Sequence, residues 1–213
     1  MTPKLFALLA QAALYTVAIS GVSIVIGFAI GLAVAAARLS ANPMLSVPAR
    51  IFVSFFRGVP LLVQLVLIYN LLPALGVDVP SVVAAIVGLS LCTAAYQAEN
   101  LRGGFLSVPK GLLESATMAG LTPFQQLIRV RAPIAFRLTL PSLVNEAILI
   151  LKASSLISVV GVVELTRMAQ DLNSDLIKPI QLFAAAGLLY FVICSALAAA
   201  GRAAERRLSW GRA

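Results

Sequence analysis

The stretch LFALLAQAALYTVAISGVSIVIGFAIGLAVAAA, residues 5–37, decides the fold class of this chain. It holds 33 consecutive residues without a charged side chain. A helix needs about 20 mainly apolar residues to cross a bilayer, whereas a cleaved signal peptide has an apolar core of only about 7–15 residues. We therefore interpret the stretch as a long, retained transmembrane helix that crosses within residues 12–37, and whose length implies tilt or an interfacial portion.

Four more apolar segments follow the first. Of the 213 residues, 61% are hydrophobic and 11% are charged, whereas a soluble domain carries about 25% charged residues. The further crossings are predicted within 51–75, 82–101, 138–163 and 179–201. A segment between the third and fourth crossings, 102–137, is too charged to cross. The sequence thus predicts an all-α integral membrane protein, one transmembrane domain over 1–213 with five transmembrane helices.

The basic residues predict the orientation of these helices. With the N-terminus outside, 12 of the 16 lysines and arginines lie on the cytoplasmic side, as the positive-inside rule requires. The twelve are Arg38, Arg50, Arg57, Arg102, Lys110, Arg129, Arg131, Arg137, Arg202, Arg206, Arg207 and Arg212. The outer side instead collects Asp78, Glu164, Asp171 and Asp175. We therefore predict N-out, C-in, with Trp210 as an anchor at the inner interface.

The composition also argues against several functions. The chain has no histidine, which removes the commonest metal ligand and the commonest general base, so we predict no catalytic residue and no metal site. Cys92 and Cys194 lie in apolar runs and are interpreted as buried small hydrophobes. The net charge of +8 has no exposed basic domain behind it, so nucleic acid is not an expected partner.

The charged segment contains a helix–turn–helix pattern. It reads VPKGLLESATMAGLTPFQQLIRVRAP over residues 108–133. Gly120 is predicted to end a first short helix, and Thr122 is predicted to cap a second that begins with Pro123. The pattern alone leaves two interpretations open: an amphipathic connector on the membrane surface, or a docking helix for a soluble cytoplasmic partner.

Residue spacing within this segment resembles the signature loop of ABC importer permeases. The pattern Glu114-Ser115-Ala116, three residues, Gly120, nine residues, Val130, one residue and Ala132-Pro133 resembles Glu-Ala-Ala, three residues, Gly, nine residues, Ile, one residue and Leu-Pro. Four further blocks resemble polar amino-acid permeases, and the clearest likeness covers roughly 55–175. They are FRGVPLLVQL at 56–65, AAYQAENLRGG at 94–104, LPSLVNE at 140–146 and LKASSL at 151–156. Ala153 and Ser154 replace the acidic residue and threonine usual in that family, so the substrate stays open.

The resemblance implies a subunit of an ATP-driven importer in the bacterial cytoplasmic (inner) membrane, working by alternating access on a polar amino acid or closely related solute. It implies a second permease subunit, identical or homologous, two ATP-binding subunits that hold ATP and Mg²⁺, and an extracytoplasmic solute-binding protein. This chain has no phosphate-binding Gly-x-x-x-x-Gly-Lys-Ser/Thr loop, and we expect it to be no enzyme. The implied contacts with the ATPase are Gly111, Leu112, Glu114, Ser115, Ala116, Gly120 and Leu121. A passive channel or structural membrane subunit is the alternative.

Polar side chains inside spans are costly and are candidates for the substrate path by default. The candidates are Asn145, Glu146, Glu99, Asn100, Gln64, Tyr96, Lys152 and Glu164. Glu164 follows Gly161, at which a helix break is predicted. Structural roles compete with this interpretation. Glu99 could pair with Arg102 three residues on, Lys152 could be an internal strut, and Asn145 with Glu146 could hydrogen-bond across helices. The glycines Gly21, Gly27 and Gly31 are interpreted as helix-packing surfaces.

Overall fold

The computed structural model describes residues 3–208, and all regular secondary structure in that range is helical. The α-helices are α1 Pro3–Leu39, α2 Pro43–Gly58, α3 Leu61–Ala74, α4 Ser81–Leu106, α5 Lys110–Met118, α6 Pro123–Gln126, α7 Ala132–Ala153, α8 Leu165–Leu176 and α9 Pro179–Leu208. A π-helical turn, Leu127–Arg131, joins α6 to α7, and a 3-10 segment, Ser154–Val160, follows α7. Trp210 and Arg212 lie outside the described residues.

Within this range, four helical stretches are long and apolar enough to cross a membrane. They are α1, α4, the continuous run Pro123–Val160 and α9. Helices α2 and α3 qualify only together, and they meet at a bend of 108°. The described residues therefore offer four crossings, or five if the bent pair is one.

The bend between α2 and α3 corrects the prediction of a single helix within 51–75. Pro60 has no N–H and forces the residue before it away from helical geometry, and Val59 is extended with φ −93° and ψ 133°. Two carbonyls left free by the break, those of Phe56 and Val59, accept hydrogen bonds of 2.9 and 2.8 Å from the Gln64 amide. The break is therefore built into the sequence and satisfied locally.

The segment between the third and fourth predicted crossings is shorter than the predicted 102–137. Helix α4 continues to Leu106, and helical structure leading into α7 resumes at Pro123. Pro133 lacks the N–H needed for a regular turn, which accounts for the π-helical geometry just before it. At the far end of α7, Gly161 has φ +83° and ends the 3-10 segment, which confirms the predicted helix break there.

Close packing of α1 on α4 forms the centre of the fold. A Cβ atom on Gly27 would lie 2.9 Å from the Ser90 carbonyl oxygen, and one on Gly31 would lie 3.0 Å from that of Ala94. Only glycine permits this approach, so the predicted packing role of these two glycines is confirmed. Gly21, in contrast, faces open space.

Much of the outer surface of this bundle is apolar. Leu14 and Val25 on α1 are 73% and 69% exposed, and Phe191 on α9 is 68% exposed. Side chains of this kind in such number are a poor match for water. The bundle is suited to lipid or to another membrane-embedded chain.

Candidate functional site

The first short helix of the 108–133 segment ends in a Schellman motif. Gly120 adopts φ +75°, a left-handed conformation that glycine tolerates without strain. The Gly120 N–H donates to the Thr117 carbonyl at 2.9 Å, and the Leu121 N–H donates to the Ala116 carbonyl at 3.1 Å. The predicted helix end at Gly120 is confirmed, and it turns the chain sharply towards α6.

The second short helix begins with a capping box. The Gln125 N–H donates to Thr122 Oγ1 at 3.3 Å, and the Thr122 N–H donates to Gln125 Oε1 at 2.9 Å. The predicted cap at Thr122 is confirmed; its partner Gln125, three residues on, was missed although the spacing is a known signal. Gln126 of α6 then binds back to α5 and to the turn. Its Nε2 atom donates to Thr117 Oγ1 at 3.1 Å and to the Leu121 carbonyl at 2.9 Å.

The surface of the 108–133 segment is open. Among the residues predicted to contact an ATPase, only Ala116 is buried, at 7% exposure. Exposed ones are Gly111, Leu112, Glu114, Ser115 and Gly120, and Leu121 is half-buried. Met118 and Phe124 present apolar side chains that are 91% and 69% exposed. A protruding turn with exposed apolar groups is suited to a protein partner.

One side-chain contact ties the 108–133 segment to α4. The Arg131 guanidinium lies 5.9 Å from the centre of the Phe105 ring. Its Nε and Nη2 atoms donate long hydrogen bonds of 3.4 and 3.5 Å to the Phe105 carbonyl. Close by, a Cβ on Gly104 would lie 2.9 Å from the Ala135 carbonyl oxygen. The end of α4 therefore packs directly against the start of α7.

Glu99 is held by two arginines. Its carboxylate accepts a hydrogen bond from Arg38, in the last turn of α1, and another from Arg102 Nε at 3.1 Å. The structural alternative of a pair with Arg102 is confirmed. Arg38 was not predicted as a partner, because it lies 61 positions away in sequence. The Glu99 carboxylate therefore already has two cationic partners, Arg38 and Arg102, before any solute binds.

Glu164 is fully buried and serves α8 and α9. Its two oxygens accept hydrogen bonds of 2.8 Å from the N–H groups of Thr166 and Arg167, at the start of α8. The Tyr190 hydroxyl of α9 donates to the same carboxylate at 2.8 Å. Burial raises the pKa of the Glu164 carboxyl, while these three hydrogen bonds oppose the rise. Glu164 therefore caps the start of α8 and at the same time joins it to α9 through Tyr190.

Glu146 differs from both of these carboxylates. It is 6% exposed and shares the buried face of α7 with Leu143 and Ile150. No hydrogen bond or ion pair joins its carboxylate to another residue within 3–208. A buried carboxylate costs free energy unless a hydrogen-bond donor or a cation accompanies it. The charge of Arg57 acts on the Glu146 carboxylate, but no residue within 3–208 gives it the hydrogen-bonded or ion-paired partner that its burial demands.

Gln64 is also buried, at 2% exposure. Its Nε2 atom is committed to the α2–α3 bend, and its Oε1 atom has no partner among the described residues. Beside the bend, the Arg57 guanidinium lies 5.3 Å from the centre of the Tyr96 ring, a cation–π contact not predicted from the sequence. Gln64 thus has a structural role and still offers one free acceptor.

The remaining candidates lie on more open surfaces. Asn145 and Lys152, seven positions apart on α7, are both exposed. Lys152 lines a shallow groove with Tyr190 and Cys194 and makes no ion pair within the described residues. Asn100 is half-buried.

The structure does not bring the eight candidates into one cluster. No hydrogen bond joins any two of them in the part of the chain described. Within 3–208 there is also no group of three His, Cys, Asp or Glu side chains able to hold a metal ion. Three residues were not predicted from the sequence, because their partners are distant in it. Arg38 pairs with Glu99, Tyr190 donates to Glu164, and Thr16 accepts a hydrogen bond from the Leu165 N–H.

Comparison with known proteins shows a likeness over nearly the whole chain. Residues 5–210 match a family model described as binding-protein-dependent transport system inner membrane component. The "Probable amino-acid ABC transporter permease protein YckA" of Bacillus subtilis (strain 168) is 38% identical over 181 residues, which cover 85% of this chain and 80% of that protein. The "Nopaline transport system permease protein NocM" of Agrobacterium fabrum (strain C58 / ATCC 33970) is 38% identical over 188 residues, 84% of this chain and 78% of that protein. A crystal structure of an amino acid ABC transporter with histidines superimposes with a TM-score of 0.91 at 31% identity, covering 97% of this chain and 100% of that one.

Proposed function

Since this chain belongs to the family of inner membrane components of binding-protein-dependent transport systems, we propose that it carries a polar amino acid or a closely related solute into the cell. The chain is a membrane-spanning subunit of an ATP-driven importer in the bacterial inner membrane. Nothing supports the passive-channel alternative. The substrate class rests on relatives whose names refer to amino acids and to nopaline, an amino-acid derivative.

The proposed topology has the N-terminus outside, the C-terminus inside and five crossings. The bent pair α2–α3 counts as the second crossing, with α1, α4, the Pro123–Val160 run and α9 as the others. The asymmetry of lysines and arginines supports this orientation. It assigns the 108–133 segment to the cytoplasm, and it assigns Gly161 and α8 to the outer side.

The 108–133 segment is the proposed contact with a separate ATP-binding subunit. Its exposed Leu112, Met118 and Phe124 offer an apolar surface, and the capped turn at Gly120 gives that surface a defined shape. ATP and Mg²⁺ are then bound by partner subunits and not by this chain. The proposed complex has two permease subunits, identical or homologous, two ATP-binding subunits and an extracytoplasmic solute-binding protein. ATP binding and hydrolysis drive alternating access through this contact.

Glu146 carries the proposal for the substrate path. A transported amino acid brings an ammonium group, which supplies the donor and the positive charge that the buried Glu146 carboxylate lacks. Gln64 offers a further unpaired acceptor through Oε1. On the exposed face of α7, Lys152 and Asn145 can donate to the carboxylate of the solute. Glu99 and Glu164 already have partners within the chain and rank behind Glu146.

Uptake by Glu146→Gln tests this proposal. The variant is reconstituted in liposomes with the ATP-binding subunits and the binding protein, and uptake is measured over a range of solute concentrations. We expect half-maximal uptake to need about tenfold or more solute, because a charged acceptor for the ammonium is lost. Glu205→Gln, near the end of α9, is the matched control and should leave the concentration dependence unchanged. Equal behaviour of the two variants would mean that Glu146 is not on the path.

A further inference from the structure

We propose that α1 transmits movement between the 108–133 segment and the outer end of the molecule, and that two contacts position it: Arg38 with Glu99 of α4, and Thr16 with Leu165 of α8. The inference rests on the proposed function, since it concerns how ATP-driven movement of that segment reaches the opposite side of the membrane. It follows from where α1 is tied to the rest of the chain by polar contacts.

The inner tie is the contact between Arg38 and Glu99. Arg38 lies in the last turn of α1, and its guanidinium donates to the Glu99 carboxylate of α4. The two side chains are only 16% and 24% exposed, so water competes weakly for the bond. A charge-assisted hydrogen bond is directional, and this one fixes the end of α1 to one position on α4.

From Glu99, α4 leads directly into the 108–133 segment. Seven residues after Glu99, α4 ends at Leu106, and a short connection with Val108 buried at 5% exposure leads to α5. Arg131, from the end of the same segment, binds back to the Phe105 carbonyl. Displacement of the segment therefore displaces the end of α4, and the Arg38–Glu99 contact passes that displacement to α1.

The outer tie is the contact between Thr16 and Leu165. The Leu165 N–H, at the start of α8, donates to Thr16 Oγ1 at 3.0 Å, and the Thr16 hydroxyl donates to the Ala12 carbonyl at 3.0 Å. Thr16 and Leu165 are both fully buried. The neighbouring Glu164 holds the same helix start through its carboxylate. Movement of α1 along its axis is thereby imposed on the outer segment that begins at Gly161.

The two ties span the membrane. At a rise of about 1.5 Å per residue, Thr16 and Arg38 lie about 33 Å apart along α1, close to the roughly 30 Å hydrocarbon thickness of a bilayer. Helix α1 runs from Pro3 to Leu39 without an internal proline. Between the ties, α1 contacts α4 mainly through small residues such as Gly27 and Gly31. Apolar packing is non-directional, so the polar ties fix the position of α1 along its axis.

Two variants break the inner tie and one breaks the outer tie. Arg38→Gln and Glu99→Gln remove the charge pair, and Thr16→Val removes the acceptor for the Leu165 N–H. Each is reconstituted in liposomes with the ATP-binding subunits and the binding protein, and solute imported per ATP hydrolysed is measured. We expect a loss of about fivefold or more at either end, with ATP hydrolysis continuing. Arg38→Lys and Thr16→Ser, which keep the charge and the hydroxyl, should restore the ratio.

Arg137→Gln is the matched control, because Arg137 is an exposed arginine of α7, whereas the charge of Arg50 acts on Arg38 itself. It should keep the wild-type ratio. A wild-type complex without solute-stimulated hydrolysis would overturn the proposed function itself. A coupled wild type with an unchanged ratio in Glu99→Gln and Thr16→Val would overturn only the role of α1. Glu99→Gln keeps the size of the side chain but also removes the pair with Arg102. Arg102→Gln, which leaves the Arg38 contact in place, therefore shows which pair matters even if Arg38→Gln does not assemble.

Discussion

The hydrogen bonds inside the 108–133 segment and those that join the long helices to other elements differ in how far they reach along the sequence. Within the segment, side-chain bonds join residues at most nine positions apart, as in Gln126 to Thr117. Outside the segment, the Glu99 carboxylate pairs with Arg38, 61 positions away, and the Leu165 N–H donates to Thr16, 149 positions away. The first region builds a shape from local rules, whereas the second joins helices that are distant in sequence. A shape built locally is suited to docking, and ties between helices are suited to transmission.

The proposed topology assigns the 108–133 segment to the cytoplasm, and reporter fusions test that proposal with an all-or-none result. Fusions after Ala41 and after Arg212 should report the cytoplasm, and one after Gly76, in the turn after α3, should report the outside, because lysines and arginines favour the inner side. Alkaline phosphatase and a fluorescent protein give complementary signals. An external signal from the Ala41 fusion would reverse the orientation and reject docking of the segment on a cytoplasmic ATPase.

Gly120→Leu tests the 108–133 segment separately, because it changes the turn in that segment and leaves the contacts between the long helices intact. A leucine in the left-handed conformation costs about 1–2 kcal/mol, and its side chain would project from an exposed turn. We expect the chain to insert normally and uptake to fall about tenfold or more, since each 1.4 kcal/mol lost from the docked complex is tenfold.

Membrane content and solute-stimulated ATP hydrolysis are measured together for this variant. Gly21→Ala, at a glycine outside the segment with open space around its Cβ position, is the control and should stay active. Unchanged solute-stimulated hydrolysis in Gly120→Leu would remove the turn from the coupling path.

The same substitution in two buried carboxylates separates structural ties from the substrate path. Glu164→Gln should lower the free energy of unfolding by about 1–3 kcal/mol, because the amide faces N–H donors of α8 that need an acceptor. Glu146→Gln should leave it unchanged or raise it, because a buried carboxylate without a partner is lost. Thermal unfolding in detergent measures both. Equal losses in the two variants would mean that Glu146 has a structural partner after all.

The difference between local and long-range hydrogen bonds also explains which parts of the fold could be predicted from the sequence. The caps at Thr122 and Gly120 and the break at Gly161 were read from single residues, because each depends on backbone geometry within a few positions. The long apolar runs likewise predicted α1, α4 and α9. The 108° bend at Pro60 was missed, since hydropathy averages over a proline that helices in membranes often tolerate.

The roles of individual polar residues were harder to predict from the sequence than these helices and caps. Sequence spacing predicted the pair of Glu99 with Arg102, three residues on, but not the one with Arg38. Nor could it distinguish Glu164, which is saturated by Tyr190 and the α8 backbone, from Glu146, which is not. All are acidic residues in or beside apolar runs, and only the packing of distant helices decides which of them has a partner.

We propose that this chain couples solute import to ATP hydrolysis by a separate subunit. Solute uptake by the complex reconstituted in liposomes is the direct test. The permease is placed in liposomes with its ATP-binding subunits, the binding protein is added outside with a labelled polar amino acid, and ATP is supplied to the ATP-binding side. We expect accumulation against a gradient that is lost when ATP, the ATP-binding subunits or the binding protein is omitted. Solute equilibration that persists without ATP and without the ATP-binding subunits would contradict it and indicate a passive channel.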